Sequence, residues 1–455
     1  MDETALEDFR TRVRGGVVTP GGASYEEARR VFNSMIDRHP AVIVQCKTVR
    51  DVAEAIRFGR EHGLQIAVRG GGHSVAGMAL TEGGIVIDLR RMHQVTVDAE
   101  ARTARVGGGA TMSHLDRATE PYGLATTGGR VSTTGVGGFV LGGGAGWLDR
   151  KFGLACDNLL SVDLVTADGR TVRADEDENP ELFWALHGGG GNFGVATSFT
   201  LRLHPLPVVT AALLLWRPEA GPEVTCAYRD FLEAAPDEVG GGLIYLTGPS
   251  EEFVPQDMAG KLCCMVLVTY AGDVQEARDV AAPVFALEPD AELVVEMSYA
   301  DLQCLIDDPP GYRNYWSAEY LGSFPDPAVE LFCSRAGGLI VPSPSQHVLF
   351  PQGGAVAREP ADHPLPWRRA PWVVHPFGLW EDPADDERGV RWARDARADV
   401  RPWSIGAVYL NFIGREGEDR VVAGFGADNY RRLAAVKGRY DPDNVFHLNH
   451  TIRPG

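Results

Sequence analysis

Arg69-Gly70-Gly71-Gly72-His73-Ser74 follows directly on Gln65-Ile66-Ala67-Val68, an apolar, β-branched run that reads as a strand. Three consecutive residues without a Cβ permit positive φ and let a planar or phosphorylated ligand approach the backbone amides, which larger side chains would block. His73 then stands at the mouth of the cradle. A tight turn with a solvated histidine is the competing reading of this stretch alone. Two more glycine clusters, residues 134–146 and 187–194, tip the balance toward a ligand. The second holds Gly189, Gly191 and Gly194 at G-x-G-x-x-G spacing, but a helix-like run (181–186) precedes it and a strand-like run (195–203) follows. A dinucleotide fingerprint needs strand, then glycines, then a helix N-terminus. The inverted order excludes a Rossmann nicotinamide site.

Composition narrows the class. A chain of 455 residues exceeds one core, so two or three domains are expected. A formal charge of −19, with no basic stripe to offset it, argues against nucleic acid and against anionic membrane surfaces as partners. The opening Met1-Asp2-Glu3-Thr4 is acidic, and no run is apolar enough to span a bilayer, so a cytoplasmic enzyme is expected. Seven scattered cysteines read as reduced core residues, and Cys263-Cys264, adjacent on one strand, point to opposite faces. With no C-x-x-C pair, and no companions for His447 and His450, no metal site is expected.

The pattern along the chain is α+β in two regimes. Residues 48–62 carry helical spacing with Thr48 as cap and Asp51 three residues on. Strands are expected at 64–68, 84–88, 95–98, 103–106, 162–166 and 170–174. Beyond residue 205 the glycine clusters vanish, and strands alternate with amphipathic helices such as 385–397. The proline-rich pieces 205–207 and 359–371 are too short to be free linkers. Residues 1–205 and 404–455 therefore read as one unit, with 206–403 inserted as an α/β domain on an antiparallel sheet.

Five motifs in order carry a resemblance: residues 69–74, 131–138 (Val-Ser-Thr-Thr-Gly-Val-Gly-Gly), 190–195 (Gly-Gly-Asn-Phe-Gly-Val), 409–412 (Tyr-Leu-Asn-Phe) and 440–446 (Tyr-Asp-Pro-Asp-Asn-Val-Phe). Together they resemble the berberine bridge enzyme-like FAD-linked oxidases of the vanillyl-alcohol oxidase superfamily, from about Ser24 to the end. The resemblance implies a PCMH-type, two-subdomain FAD-binding fold with an inserted substrate domain. It implies FAD joined through its 8α-methyl to His73. A second link from cysteine is not expected, because Val131 stands at that position. Arg69 would contact a cofactor phosphate or carbonyl, Gly70, Gly71, Gly72, Ser74, Gly77 and Met78 would form the loop, and Gly129, Val131, Ser132, Thr134, Gly135, Gly137 and Gly138 would lie along the isoalloxazine. Asn192, Gly194, Val195 and Asn411 complete the expected cofactor set. Thr134, small at the position lining the oxygen approach, implies an oxidase.

Tyr409 is the candidate base. On an extended 405–412 segment it would share a face with Asn411, and its phenol, ordinarily near pKa ~10, would need hydrogen bonds or positive charge to ionise at neutral pH. A strand tyrosine at a domain edge is the plainer alternative. Tyr312, Tyr315, Trp316 and Glu319 follow helical spacing, and Tyr315 or Trp316 is a candidate substrate wall, although buried aromatics more often only pack. His375 is the group there that titrates near neutrality. The expected function is FAD-dependent oxidation of a small alcohol or amine with O2 as acceptor and H2O2 as product. Oligosaccharide alcohols, or an acceptor other than O2, are the alternatives.

Overall fold

Thr48 opens the first long helix as its spacing predicts. Its hydroxyl accepts from the Asp51 N–H, the Asp51 carboxylate accepts from the Thr48 N–H, and the helix Val49–Glu61 starts on that reciprocal pair. The computed structural model describes residues 3–358 and 362–455, so residues 1–2 and the start of the 359–371 segment lie outside the described residues. The helix buries Val52, Ala55 and Ile56 against Val42, Val44, Ile66, Ile85 and Ile87. These come from three parallel strands, Val42–Gln45, Ile85–Asp88 and Ile66–Arg69, with Gly16–Val18 antiparallel at one edge. Parallel strands need a crossover, and the helix carries the chain from Val42–Gln45 past the position later filled by Ile85–Asp88 to Ile66–Arg69. The glycine turn emerges from the C-terminal end of Ile66–Arg69.

A second sheet is wholly antiparallel, in the order Val95–Asp98, Thr103–Gly107, Val195–Arg202, Leu159–Val165, Thr171–Ala174. The expected strands sit here with ends shifted by a few residues. The third sheet draws its strands only from the middle of the chain. Its order is Ala291–Met297, Val209–Trp216, Leu262–Tyr270, Val239–Thr247, Gln346–Pro351, Trp372–Trp380, Arg313–Trp316, and Glu319–Leu321 also pairs with Trp372–Trp380. Every pairing in it is antiparallel.

Helices Gly221–Ala234, Asp326–Ala336 and Asp386–Val400 cover one face of that sheet, and the other face joins a core shared with the second sheet. Alternation along Leu262–Tyr270 is visible in the adjacent cysteines, for Cys263 packs into the shared core and Cys264 into the helix layer. The C-terminal helix Ala427–Tyr440 returns to the first unit, where the Tyr440 hydroxyl donates to Asn179 at 3.0 Å. No helix among the described residues is long and apolar enough to cross a membrane.

Two local expectations are corrected. Residues 312–319 are not helical: Arg313–Trp316 and Glu319–Leu321 are strands, because both segments find edges of Trp372–Trp380 to pair with. Residues 405–412 are not a strand either. Gly406, at φ +78°, breaks the extended run, and Leu410–Phe412 forms a single 3-10 turn.

The helix layer holds one conspicuous polar cost. His347, fully buried on Gln346–Pro351, stacks on Phe332 at 4.1 Å, and neither ring nitrogen makes a hydrogen bond of normal geometry. Burial pushes its pKa down to about 3, only partly offset by the Phe332 backbone. The unfolded chain therefore takes up a proton that the folded one refuses as pH falls from about 6.5 toward 3, and stability declines across that window. His347→Leu should widen its stability advantage over the wild type by about 1.4 kcal/mol per pH unit of acidification. Urea midpoints at pH 7 and pH 5 measure it, and parallel curves would contradict it.

Candidate active site

The first and second glycine clusters meet backbone to backbone. A Cβ on Gly71 would lie 2.4 Å from the Gly135 nitrogen, closer than any real contact, so neither turn tolerates a side chain where they cross. Gly72 adds a φ of +81°, which turns the chain so that His73 faces the cavity. On the other side, a Cβ on Gly138, Gly190 or Gly191 would meet nothing within 4 Å. Those positions leave bare backbone along an open slot, the shape a flat, extended cofactor requires.

That slot continues into one cavity, with about 350 Å³ open to the centres of water molecules. Gly70, Gly71, Gly72, His73, Ser74, Met78, Gly129, Val131, Thr134, Gly135, Gly137, Gly138, Asn192, Gly194, Tyr409 and Asn411 all line it. Alternate residues of two paired strands form the opposite wall. Gln346, Val348 and Phe350 come from one, His375 and Phe377 from the other, in the register Gln346↔Phe377 and Val348↔His375. Trp316 and Phe412 complete an aromatic chamber.

His73 is held in plane by Phe32, whose ring stacks at 4.1 Å and 20°, and its Nε2 shares a hydrogen bond with the Thr133 hydroxyl at 2.8 Å. Burial pushes its pKa down to about 4. The imidazole is therefore neutral at pH 7, with a lone pair available. Asn192 is fixed by three groups: its amide donates to the Gly189 and His450 carbonyls, and its oxygen accepts from the Ile452 N–H. Beneath it lies Lys437, fully buried, which donates to the carbonyls of Asn192 and Phe446 and to Asp441.

Tyr409 and Asn411 do come together, though through the 3-10 turn rather than strand alternation. The Tyr409 hydroxyl accepts from Asn411 Nδ2 at 2.9 Å and from the Gly144 N–H at 3.0 Å. Both bonds favour the phenolate, but burial outweighs them and pushes the pKa up to about 12. At neutral pH this is a phenol with its own proton left to donate.

Five expected residues do not line the cavity. Arg69 is turned away, its guanidinium spent on the carbonyls of Ala28 and Arg30, so it clamps the N-terminal segment instead of touching the slot. Gly77 turns the following loop against Ile36. Ser132 is tied through its N–H and hydroxyl to Asp307. Val195 packs into the parallel-sheet core while Ala196, one residue on, lines the cavity. Tyr315 faces the opposite side of its strand from Trp316, where its hydroxyl accepts from Arg394 Nε at 3.2 Å.

Conversely, Arg130, Asp308, Gln346 and Phe350 line the cavity without having been singled out by sequence, and His450, weighed there only as a metal ligand, lines it too. For Gln346 and Phe350, period-two alternation was the available signal. Nothing local marks Asp308. Away from the cavity floor, Cys156, Asp157 and His363 lie within 4.8 Å of one another at metal-ligand range, but Arg368 occupies both Asp157 oxygens.

Comparison with known proteins agrees with this geometry. A family described as "FAD binding domain" matches residues 40–175, and one described as "Berberine and berberine like" matches residues 408–453. The chain is 30% identical to (R)-6-hydroxynicotine oxidase of Paenarthrobacter nicotinovorans, over 97% of each chain. It is likewise 30% identical to the FAD-linked oxidoreductase pgmH of Aspergillus terreus, over 100% of this chain and 97% of the other. The crystal structure of 6-hydroxy-D-nicotine oxidase from Arthrobacter nicotinovorans superposes with a TM-score of 0.87 at 27% identity, covering 97% of this chain and 98% of that one. The chain belongs to the berberine bridge enzyme-like family of FAD-linked oxidoreductases. It is an enzyme with an FAD-binding domain in a PCMH-type fold.

Proposed function

We propose that this chain is an oxidase carrying FAD attached through the 8α-carbon to His73, and that it oxidises a small organic molecule at a C–H beside nitrogen or oxygen. When bound, FAD supplies the two-electron acceptor and passes the electrons to O2, giving H2O2. The observation that carries the reading is the neutral His73 imidazole facing the slot, stacked on Phe32, with Nε2 engaged by Thr133 and Nδ1 left to bond to carbon. Val131 at the second position leaves that link single. Residues 1–205 and 404–455 would hold the cofactor, and residues 206–403 would shape the substrate chamber. Seven unpaired cysteines support a reducing, cytoplasmic setting. Thr134, a short side chain lining the slot, supports access for O2.

Within the chamber, the hydroxyl of Tyr409 is fixed in direction by its two donors and orients the substrate beside the slot, the proton shed by the substrate heteroatom ends in solvent, and the aromatic walls keep bulk water from the reacting carbon. The substrate is read as an amine or alcohol of the alkaloid or secondary-metabolite kind, in line with the relative that is a hydroxynicotine oxidase. The test is an anaerobic screen of amines, alcohols and sugars for bleaching of the bound flavin, followed by peroxide assay on admitting air. Fast bleaching without peroxide would replace O2 by another acceptor. Bleaching by no compound would remove the oxidase reading. Tyr409→Phe should lower kcat on the order of a hundredfold with flavin content unchanged, and an unaltered kcat would take Tyr409 out of the chemistry.

A further inference from the structure

One chamber wall carries a carboxyl that neither the fold nor the cofactor slot uses. Asp308 is 8% exposed and lines the same cavity as Trp316, Gln346 and Phe377. Its one side-chain contact is long, Gln346 Nε2 to Oδ1 at 3.5 Å. Among the described residues no lysine, arginine or histidine lies within ion-pair distance of it. Most other buried carboxyls face a cation or several donors: Asp441 faces Lys437, Asp88 Arg90, Glu319 Arg420, and Asp51 the backbone N–H groups of Arg14, Lys47 and Thr48; Asp116 also lacks a cation but does not line the cavity. Its neighbour Asp307 is taken up by Ser132. A buried, unpaired carboxylate is costly, and aromatic walls around a carboxyl suit an organic cation.

Resting on the proposed reading of the chamber as an oxidation site, we infer that Asp308 selects substrates bearing a protonated amine and accepts a proton from their nitrogen. In this step an ammonium N–H bond breaks, an O–H bond forms on Asp308, and the electron pair stays on nitrogen as the lone pair that oxidation at the adjacent carbon needs. The proton that Asp308 held before binding goes to solvent. Burial, with the Asp307 charge, pushes the Asp308 pKa up to about 8, which narrows the gap to an alkylamine's ~10 from about six units to about two, so the transfer is uphill by about a hundredfold instead of about a millionfold. The other titratable groups lining the cavity do not change charge between pH 6 and 8. His375, on the facing strand, is neutral because burial pushes its pKa down to about 3, and burial pushes His73 and His450 down to about 4; Tyr409 is protonated; and the Arg130 guanidinium is committed to the Ala145 and Gly146 carbonyls.

The test uses the holoprotein, without oxygen, and two probes of matched shape, benzylamine and benzyl alcohol. Titration calorimetry in buffers of different ionisation enthalpy counts protons. The wild type should bind benzylamine roughly tenfold or more tighter than the alcohol at pH 7, release about one proton, and gain up to about tenfold in affinity per pH unit between pH 6 and 8. Asp308→Asn should erase the preference and the pH slope while holding alcohol affinity within about threefold. Equal binding of the two probes, binding of neither, or a preference that survives Asp308→Asn would overturn the inference. The wild-type proton count stands even if the variant folds poorly, and its absence alone would sink the role. If flavin is bound and bleaches with alcohols but not amines, the oxidoreductase reading survives and Asp308 loses its part. Protein without flavin would count against both.

Discussion

Acid-precipitated His73→Ala protein should be colourless, whereas wild-type precipitate should stay yellow after washing. The expectation follows from what surrounds the ring. Phe32 fixes its plane, Thr133 holds Nε2, and Gly71 and Gly72 keep side chains out of its path. The variant keeps the bare-backbone slot, so native protein should still bind FAD, reversibly, and its turnover should fall on the order of tenfold to a hundredfold as the cofactor loses its anchored position. The acid-base sign is specific too. Because burial pushes the imidazole pKa down to about 4, the nucleophilic neutral form dominates above that value. Attachment of added FAD to unloaded protein should therefore be independent of pH from about 8 down to about 5 and fail only as pH drops through about 4. A rate that already halves near pH 6.5 would show an ordinary solvated histidine instead.

Lys437→Met should cost about 3–5 kcal/mol of folding stability, the usual consequence of leaving one member of a buried ion pair alone. Lys437 and Asp441 are both fully buried, and the ammonium also satisfies the carbonyls of Asn192 and Phe446. The loss falls where the C-terminal helix supports the third glycine cluster, so FAD retention should decline along with the urea midpoint. Removing both charges, as Lys437→Met with Asp441→Leu, should recover much of the stability but not the cofactor affinity, since the Asn192 carbonyl stays without its donor. If the single variant unfolds at the wild-type midpoint, the pair is not a support for the slot.

What the residues disclose and what they hide divides along a physical line. The glycine turns are legible because they are local: a strand, then residues without side chains, then a histidine leaves few other uses. The capped helix at Thr48 and the antiparallel strands follow from spacing in the same way. Arg69 misleads because its partners, the carbonyls of Ala28 and Arg30, reach it through a non-local fold that no local pattern encodes. Tyr315 and Val195 each miss by one position, since strand parity decides which of two neighbours faces the chamber, as Trp316 and Ala196 do. Asp308 sits in a segment without periodicity, and its significance lies entirely in the partners it lacks.

His450, Asn449 and Phe446 line the slot that begins at Gly70, and Asn192 is held by the His450 carbonyl and the Ile452 amide. During synthesis, then, the nascent chain displays the histidine proposed for attachment long before the last wall of the pocket has left the ribosome. On that proposal loading waits for translation to pass the wall, and polypeptides truncated ahead of residue 446 should be isolated without pigment.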